Sequence, residues 1–474
     1  MAAPAHAVVI GASIAGLLAA AALSRACPRV TLFDRDTLPA EPGPRRGVPQ
    51  TRQLHALQAR GVQALDELLP GLRDELVAAG GVLADMQGDI HWYLDDYLLK
   101  PARTGLEGIG ISRPQLEWLI RSRVAALPGV TITEETDVAR LVTADDRLTG
   151  VTVRAARTHD AAEETVAADL VIDAAGAGSR TPALLQELGL EAPRVTRVRA
   201  GVTYVTRMYR RDQKQLDGRF GSLFTPYPGR PFGGAALRQE GDRWVVLLAG
   251  MVGTEPPLDE DGMIAYAEKL ACQDIASVMR ESTPLTEPLK YTYPESTRRH
   301  YEKLSGLPDG LLVVGDAYCG FNPIYGQGIT VAALEALILR RLLSPTEDRA
   351  AQDRAAQDRA SQDRASQDRA TGGSAGLARA YFRAVGKLVD EAWETSAASD
   401  LRFPEVEGER RRGAGLLNAY GERFRAAASV DPALGETFLR VANMADKPTK
   451  LLSPGTVLRV FRSAGKAVRA GRGK

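Results

Sequence analysis

The chain has 474 residues, 44% of them hydrophobic and 25% charged, with 60 basic against 59 acidic side chains and a formal net charge of +1. That length supports two or three domains around a large core, and the even charge balance excludes a general electrostatic draw to nucleic acid. Cys27, Cys272 and Cys319 are odd in number and far apart, which excludes a disulfide framework or a metal-ligand spacing and fits a reducing cytoplasm.

The run 7–23 is apolar, but no basic segment precedes it, and two glycines and a serine interrupt it at strand–turn–helix spacing. A membrane span or signal peptide is therefore not expected. Residues 8–10 read as a short buried parallel strand, and 17–26 as a buried helix with almost no polar side chains. Between them lies Gly11-Ala12-Ser13-Ile14-Ala15-Gly16. In a dinucleotide-binding turn the first glycine makes the bend, the second lets the backbone approach a pyrophosphate, and the third lets helix and strand pack closely. The helix N-terminus then presents free N–H groups to the phosphates. Here Ser13 stands where the second glycine would be, and its Cβ narrows the approach. Residues 30–34 read as a second strand ending in Asp34, about 20 residues past the turn, where a carboxylate accepts from an adenosine ribose. An ordinary βαβ unit with a small-residue turn is the alternative.

Arg45, Arg46 and Arg52 follow in a loop stiffened by Pro42, Pro44 and Pro49, a basic loop suited to neutralising phosphate. Ser112-Arg113-Pro114 reads as a helix start, with Leu116, Leu119, Ile120 and Val124 on one face. Residues 130–133 and 137–143 read as strands, and 170–176 as a third buried strand that ends in Asp173-Ala174-Ala175-Gly176. Long strands at 199–210 and 243–251 bracket a region rich in aromatics: Tyr204, Tyr209, Phe220, Phe224, Tyr227, Phe232 and Trp244, most of them expected in the core. Residues 310–316 form another strand ending in Gly315-Asp316, and after Pro323 the corner Gly326-Gln327-Gly328 opens an apolar helix over 329–343. This second helix N-terminus can stabilise negative charge. Residues 350–370 repeat Ala/Ser-Gln-Asp-Arg-Ala at period five; on a helix, equivalent positions rotate by about 140°, so no apolar stripe forms and a solvated linker over 346–374 is expected. The region 375–474 reads as mostly helical, and its last segment, 456–474, as a basic amphipathic helix. Such a helix can lie on a membrane; docking on the body of the protein is the preferred reading.

Taken together, these segments resemble the flavin-dependent monooxygenases of the aromatic-hydroxylase superfamily, and among them most closely the bacterial epoxidases of polyether biosynthesis. The residues that carry the resemblance are Gly11 to Gly16, Asp34-Arg35-Asp36, Arg46-Gly47-Val48-Pro49-Gln50 with Arg52 and His55, Ser112-Arg113-Pro114 with Leu116, the strand 169–173 with Gly176 and Ser179, and 315–328. The resemblance implies an α/β fold. A Rossmann-like FAD-binding domain would be built from 1–85, 105–184 and 295–345, an antiparallel-sheet substrate domain from 86–104 and 185–294, and a helical region from 375–474. It places FAD along Gly11, Ser13, Ile14, Ala15, Gly16, Asp34, Arg35, Arg46, Arg52, His55, Arg113, Val138, Asp173, Gly176, Asp316, Pro323, Gly326, Gln327, Gly328 and Ile329. Within that set His55 would start a helix, Arg113 would touch the flavin, Val138 would offer a backbone contact to the adenine, and Asp316 would accept from a ribityl hydroxyl. No catalytic side chain and no metal ligand is assigned.

The implied activity is insertion of one oxygen atom from O₂ into a lipophilic natural-product intermediate, by alkene epoxidation through a flavin C4a-hydroperoxide. Phenol hydroxylation, reduction of isoprenoid double bonds and a degenerate flavin-binding protein are the alternatives. The paired tryptophan motif of halogenases is missing around Trp92 and Trp118. Aromatic hydroxylases carry an adjacent Asp-Gly tied to pyridine nucleotide, and here the pair is split into Asp173 and Gly176. The electron source is thus open between NAD(P)H used directly and a partner flavin reductase. The expected partners are a lipophilic substrate and O₂, with no nucleic acid and no stable membrane association, in the cytoplasm.

Overall fold

The computed structural model describes residues 4–158, 161–344 and 373–471, without the side chains of 373–375 and 464–471. The five-residue repeat at 350–370 lies outside the described residues. The elements that position the site are, in chain order, β1 (His6–Ile10), α1 (Ile14–Leu23), β2 (Arg29–Phe33), β3 (Ile90–Leu94), α2 (Arg113–Ala125), β4 (Val130–Thr133), β5 (Leu170–Asp173), β6 (Val202–Arg210), β7 (Gly221–Thr225), β8 (Phe232–Gln239), β9 (Arg243–Gly250), β10 (Leu289–Tyr293), β11 (Leu311–Val313), α3 (Gly328–Leu343), α4 (Gly373–Asp400), α5 (Ala414–Ala428), α6 (Pro432–Ala442) and α7 (Pro454–Gly471).

A five-stranded parallel sheet runs β11-β5-β1-β2-β4. Val8 pairs with both Thr31 and Val171, and Val171 with Leu311, so chain segments 300 residues apart in sequence share one register. Helices cover one face, and a three-stranded antiparallel sheet (Thr136–Ala144, Arg147–Ala155 and Glu164–Ala167) packs on the other through Val138, Leu141, Leu148, Val151 and Val153, so the central strands are apolar on both faces and read as unbroken hydrophobic runs. Every residue of α1 except Ala15 is buried, because α1 lies between this sheet and α3.

The second layer is a seven-stranded sheet in the order β10-β6-β9-β8-β7-β3, closed by the two-residue strand Tyr97–Leu98. β3 runs parallel to β7, and the other pairs are antiparallel. Side chains alternate across it. Tyr209 and its cross-strand neighbour Trp244 point to a core roofed by the helices Glu260–Ala267 and Asp274–Glu281, while Tyr204 turns to the opposite face. The α/β class with a Rossmann-like FAD-binding fold, an antiparallel sheet and C-terminal helices is thus as expected.

The C-terminal helices are tied into the body. α4 packs through Tyr381, Phe382 and Val385 on the parallel-sheet core. The fully buried Arg298 anchors it: its guanidinium reaches Asp390 on α4 at 3.2 Å and Glu302 at 3.1 Å, over the ring of Tyr318. α5, α6 and α7 share a second core with β3 and β9, in which Phe424, Leu439 and Val460 meet Ile90, Leu94 and Val245. Among the described residues no helix is long and apolar enough to cross a membrane. One local expectation fails. His55 does not start a helix: the chain runs extended through Ala56–Leu57, which pair with Ile109 and Gly110, and the helix begins at Ala59.

Candidate functional site

Between the two sheets lies a cavity of about 760 Å³. It is walled at one end by the N-termini of α1 and α3 and at the other by the antiparallel sheet and the C-terminal helices. Gly11 makes the first turn with φ +98°, and a Cβ there would sit 2.7 Å from the carbonyl oxygen of Ala174. A Cβ on Gly16 would come within 1.9 Å of the Gly11 carbonyl oxygen. Gly16 therefore lies behind the cavity wall, and its part is to let α1 sit close against the turn. Neither α1 nor α3 has a side-chain cap at its start, so their first N–H groups are left for a ligand.

Ser13 gives its hydroxyl elsewhere. It donates to Glu117 at 3.1 Å and accepts from Arg113 at 2.8 Å. Arg113, first residue of α2, also binds Glu117 at 3.1 Å, one helical turn on. Arg45 closes the network, reaching Glu117 at 2.8 Å and Asp34 at 3.0 Å. Burial works against the charge of Arg45, but Glu117 and Asp34 outweigh it and raise its pKa. The Asp34 oxygen that binds Arg45 also accepts from the Ala12 N–H (2.7 Å), and its other oxygen accepts from the Asp36 N–H (2.9 Å), so this carboxylate sits fixed at the end of β2.

Arg45, not its neighbour, takes the inward place in the basic loop. The Gly47 N–H bonds Asp36 at 2.6 Å and turns the loop so that Arg45 faces in and Arg46 faces solvent. Arg52 ends a short turn and is also exposed. Of the residues singled out in the sequence, Gly16, Arg46 and Arg52 do not reach the cavity. Gly11, Ser13, Ile14, Ala15, Asp34, Arg35, His55, Arg113, Val138, Asp173, Gly176, Asp316, Pro323, Gly326, Gln327, Gly328 and Ile329 line it. Burial, with Arg113 nearby, pushes the His55 imidazole down to about 4, so the ring is neutral at pH 7. It bonds the Gln53 carbonyl through Nδ1 at 3.0 Å.

The late turn is braced from behind. Arg299 donates to the carbonyls of Asp316 (3.1 Å), Ala317 (3.2 Å) and Ala177 (3.1 Å), joining the Gly315 turn to the loop after Asp173. Asp173 spends its carboxylate within that loop, on Ser179 and on the N–H of Ala175. Burial raises the pKa of Asp173 and of Asp316. Glu335, inside the apolar helix α3, accepts from the Gly315 N–H at 2.7 Å, and its second oxygen has no partner. Burial pushes Glu335 up to about 8 from 4.5. The folded chain thus holds a proton that the unfolded chain releases above pH 4.5, so this group costs stability as pH rises from about 4.5 through 8. Glu335→Gln keeps an acceptor for Gly315 and is expected to flatten that loss. Urea unfolding at pH 5.5 and 8.5 checks it, and equal pH dependence in both proteins would refute it.

The remaining walls are mostly apolar. Trp92, Leu94, Leu223, Phe224, Leu247 and Ala249 come from the sheet, and Tyr204 and Tyr291 stand 5.9 Å apart nearby. The Tyr204 hydroxyl is buried without a partner. Opposite stand Phe438, Val441 and Leu451, with Thr395, Ser399, Arg402 and Arg425. These C-terminal contributions were not foreseen, because amphipathic helices show which face is buried but not what it is buried against. Glu117 was missed too, and Arg45 was read only as one of three arginines in the basic loop, with Arg46 and Arg52 preferred. The spacing of Arg113 and Glu117, four apart on a helix, was the available signal.

The residues present fit FAD: uncapped helix starts at two points of one cavity, a backbone turn that excludes a Cβ, a fixed acid at the end of β2, and the buried, unpartnered Oε1 of Gln327 beside the α3 start. Residues 5–370 match a family model described as an FAD binding domain. Protein Rv3254 of Mycobacterium tuberculosis (strain ATCC 25618 / H37Rv) is 34% identical over 457 residues, spanning 93% of this chain and 90% of that protein. A kynurenine 3-monooxygenase of Salinispora arenicola (strain CNS-205) is 28% identical over 380 residues, 73% of each. Among solved structures, the flavin-dependent brominase Bmp2 has a TM-score of 0.64 at 14% identity, over 98% of this chain and 100% of that chain. The p-nitrophenol 4-monooxygenase PnpA from Pseudomonas putida DLL-E4 has a TM-score of 0.59 at 16% identity, over 93% and 95%. At those identities the structural likeness speaks for the fold. With the match of sequence over most of its length and the cavity it builds, this chain belongs to the FAD binding domain family and is a flavin-dependent monooxygenase.

Proposed function

We propose that the chain inserts one atom of O₂ into a lipophilic natural-product intermediate by epoxidising an alkene. The observation that supports this most is the continuity of one cavity, from the uncapped helix starts to apolar walls supplied by the antiparallel sheet and the C-terminal helices. Bound FAD would supply the oxygen activation. In this reading the α1 N-terminus holds the pyrophosphate and Asp34 the adenosine ribose, with Val138 near the adenine. Arg113, fixed by Ser13 and Glu117, positions the flavin edge. Asp316 holds the ribityl chain, and the α3 N-terminus favours negative charge on the ring. The apolar walls keep water from the reacting centre.

Phenol hydroxylation is the second reading. It is favoured by the unpartnered Tyr204 hydroxyl, a natural partner for a substrate hydroxyl, and by the likeness to kynurenine 3-monooxygenase. Electrons would come from NAD(P)H directly or from a partner flavin reductase, in the cytoplasm. The test is product mass spectrometry under ¹⁸O₂, with FAD, NADPH and paired alkene and phenol substrates. One ¹⁸O atom in an epoxide is expected. One ¹⁸O atom in a ring hydroxyl selects the second reading. Loss of a C=C bond without ¹⁸O would select a reductase, and failure to hold FAD would remove all three.

A further inference from the structure

An ion cluster in the chamber wall lies outside the set of residues assigned to the flavin. Asp95, at the turn after β3, is bound by two arginines from the C-terminal region. Arg402, just past α4, donates to it through Nη1 at 3.0 Å and again through Nη2. Arg425, on α5, reaches it at 2.6 Å. All three line the cavity, and their side chains are 12–18% exposed. Two guanidinium groups thus share one carboxylate. Nη2 of Arg425 is buried without a hydrogen-bond partner.

The other acids nearby make no hydrogen bond to these two arginines. Asp96 accepts from Arg230 (2.7 Å) and from the Tyr227 hydroxyl (2.7 Å). Asp400 accepts from the Tyr325 hydroxyl (2.7 Å) and from Asn322 (2.9 Å) through one oxygen; the other, Oδ2, is buried without a hydrogen-bond partner, and neither oxygen bonds Arg402 or Arg425. Glu422 is exposed. Burial and the neighbouring Arg402 lower the pKa of Arg425, as expected for a cation short of counter-charge. A buried charge left in that state is costly. It is best completed by an anion, and a planar guanidinium suits a carboxylate. Leu94, Phe224, Phe438 and Leu451 supply apolar wall in the same chamber.

We propose that Arg425, with Arg402 beside it, receives a carboxylate carried by an otherwise apolar substrate. The inference rests on reading the chamber as the substrate site, and it narrows the substrate class to lipophilic acids. Calorimetric titration of the flavin-loaded protein with decanoate and with decanamide tests it. Decanoate is expected to bind at least about tenfold tighter than the amide, an increment of about 1.4 kcal/mol. Arg425→Gln should abolish that preference and leave the amide unchanged. Asp95→Asn should strengthen decanoate binding, because it frees both arginines, and structural damage would not produce that gain. The proposal is overturned by equal affinities in the native protein, which needs no variant, by a preference that survives Arg425→Gln, or by a folded Asp95→Asn protein that gains nothing. Oxygen incorporation is read separately. Acid preference without ¹⁸O incorporation would sink the proposed reaction and keep this receptor, and the converse pattern would do the opposite.

Discussion

Gly16→Val is expected to yield a protein that purifies with little or no flavin and unfolds at lower temperature. The obstacle is backbone. A Cβ at this position lies 1.9 Å from the Gly11 carbonyl oxygen and 3.3 Å from the Ala174 side chain, so no rotamer change relieves it. The first turn of α1 would have to move away from β1. That would spoil the contacts of Leu17 and Leu18, both fully buried, and tilt the N–H groups that face the cavity. Overpacking of a close-packed interior costs about 1–3 kcal/mol, and a backbone clash belongs at the upper end. The cost would fall on the flavin end first. The ratio of flavin absorbance to protein absorbance in the purified variant is the measurement, with Gly16→Ala as the milder step. Full flavin content in Gly16→Val would show that the α1 start does not set the cofactor position.

Much of this arrangement was legible in the residues. The parallel strands β1, β5 and β11 are buried on both faces, and such strands write themselves as apolar runs ending in glycine or acid. Asp34 was legible from its distance to the glycine turn. What was not legible depended on contacts between distant segments. Arg45 and Arg46 are adjacent and chemically alike, and a loop has no periodicity to say which turns inward; the Gly47–Asp36 bond decides it. Glu335 is a single acid in an apolar helix, and only the fold brings the Gly315 N–H to it. Asp95, Arg402 and Arg425 come from three segments whose meeting depends on how the C-terminal helices dock.

Glu117→Ala is expected to be the most destabilising single truncation of a polar side chain at the flavin end. Glu117 is the one carboxylate that touches Arg45 (2.8 Å), Arg113 (3.1 Å) and the Ser13 hydroxyl (3.1 Å) together. Its removal leaves Arg45 with Asp34 alone and Arg113 with a neutral hydroxyl, both side chains less than a tenth exposed. Breaking a buried pair from one side typically costs about 3–5 kcal/mol, because the stranded charge cannot recover its hydration. Glu117→Gln, with one acceptor oxygen left, should fall between. Ser13→Gly restores the glycine usual at this place in a dinucleotide turn, yet it deletes the 2.8 Å bond to Arg113 and should cost about 1 kcal/mol. Denaturant midpoints and FAD dissociation constants for the three variants give the order. If Glu117→Ala matched the native protein in both, Arg113 would be held by something other than this network. If Ser13→Gly proved the worst of the three, the serine itself would be the anchor. The expected order makes Ser13 a secondary contact: the departure from glycine is tolerated because Arg113 and Glu117 draw its hydroxyl away from the phosphate approach.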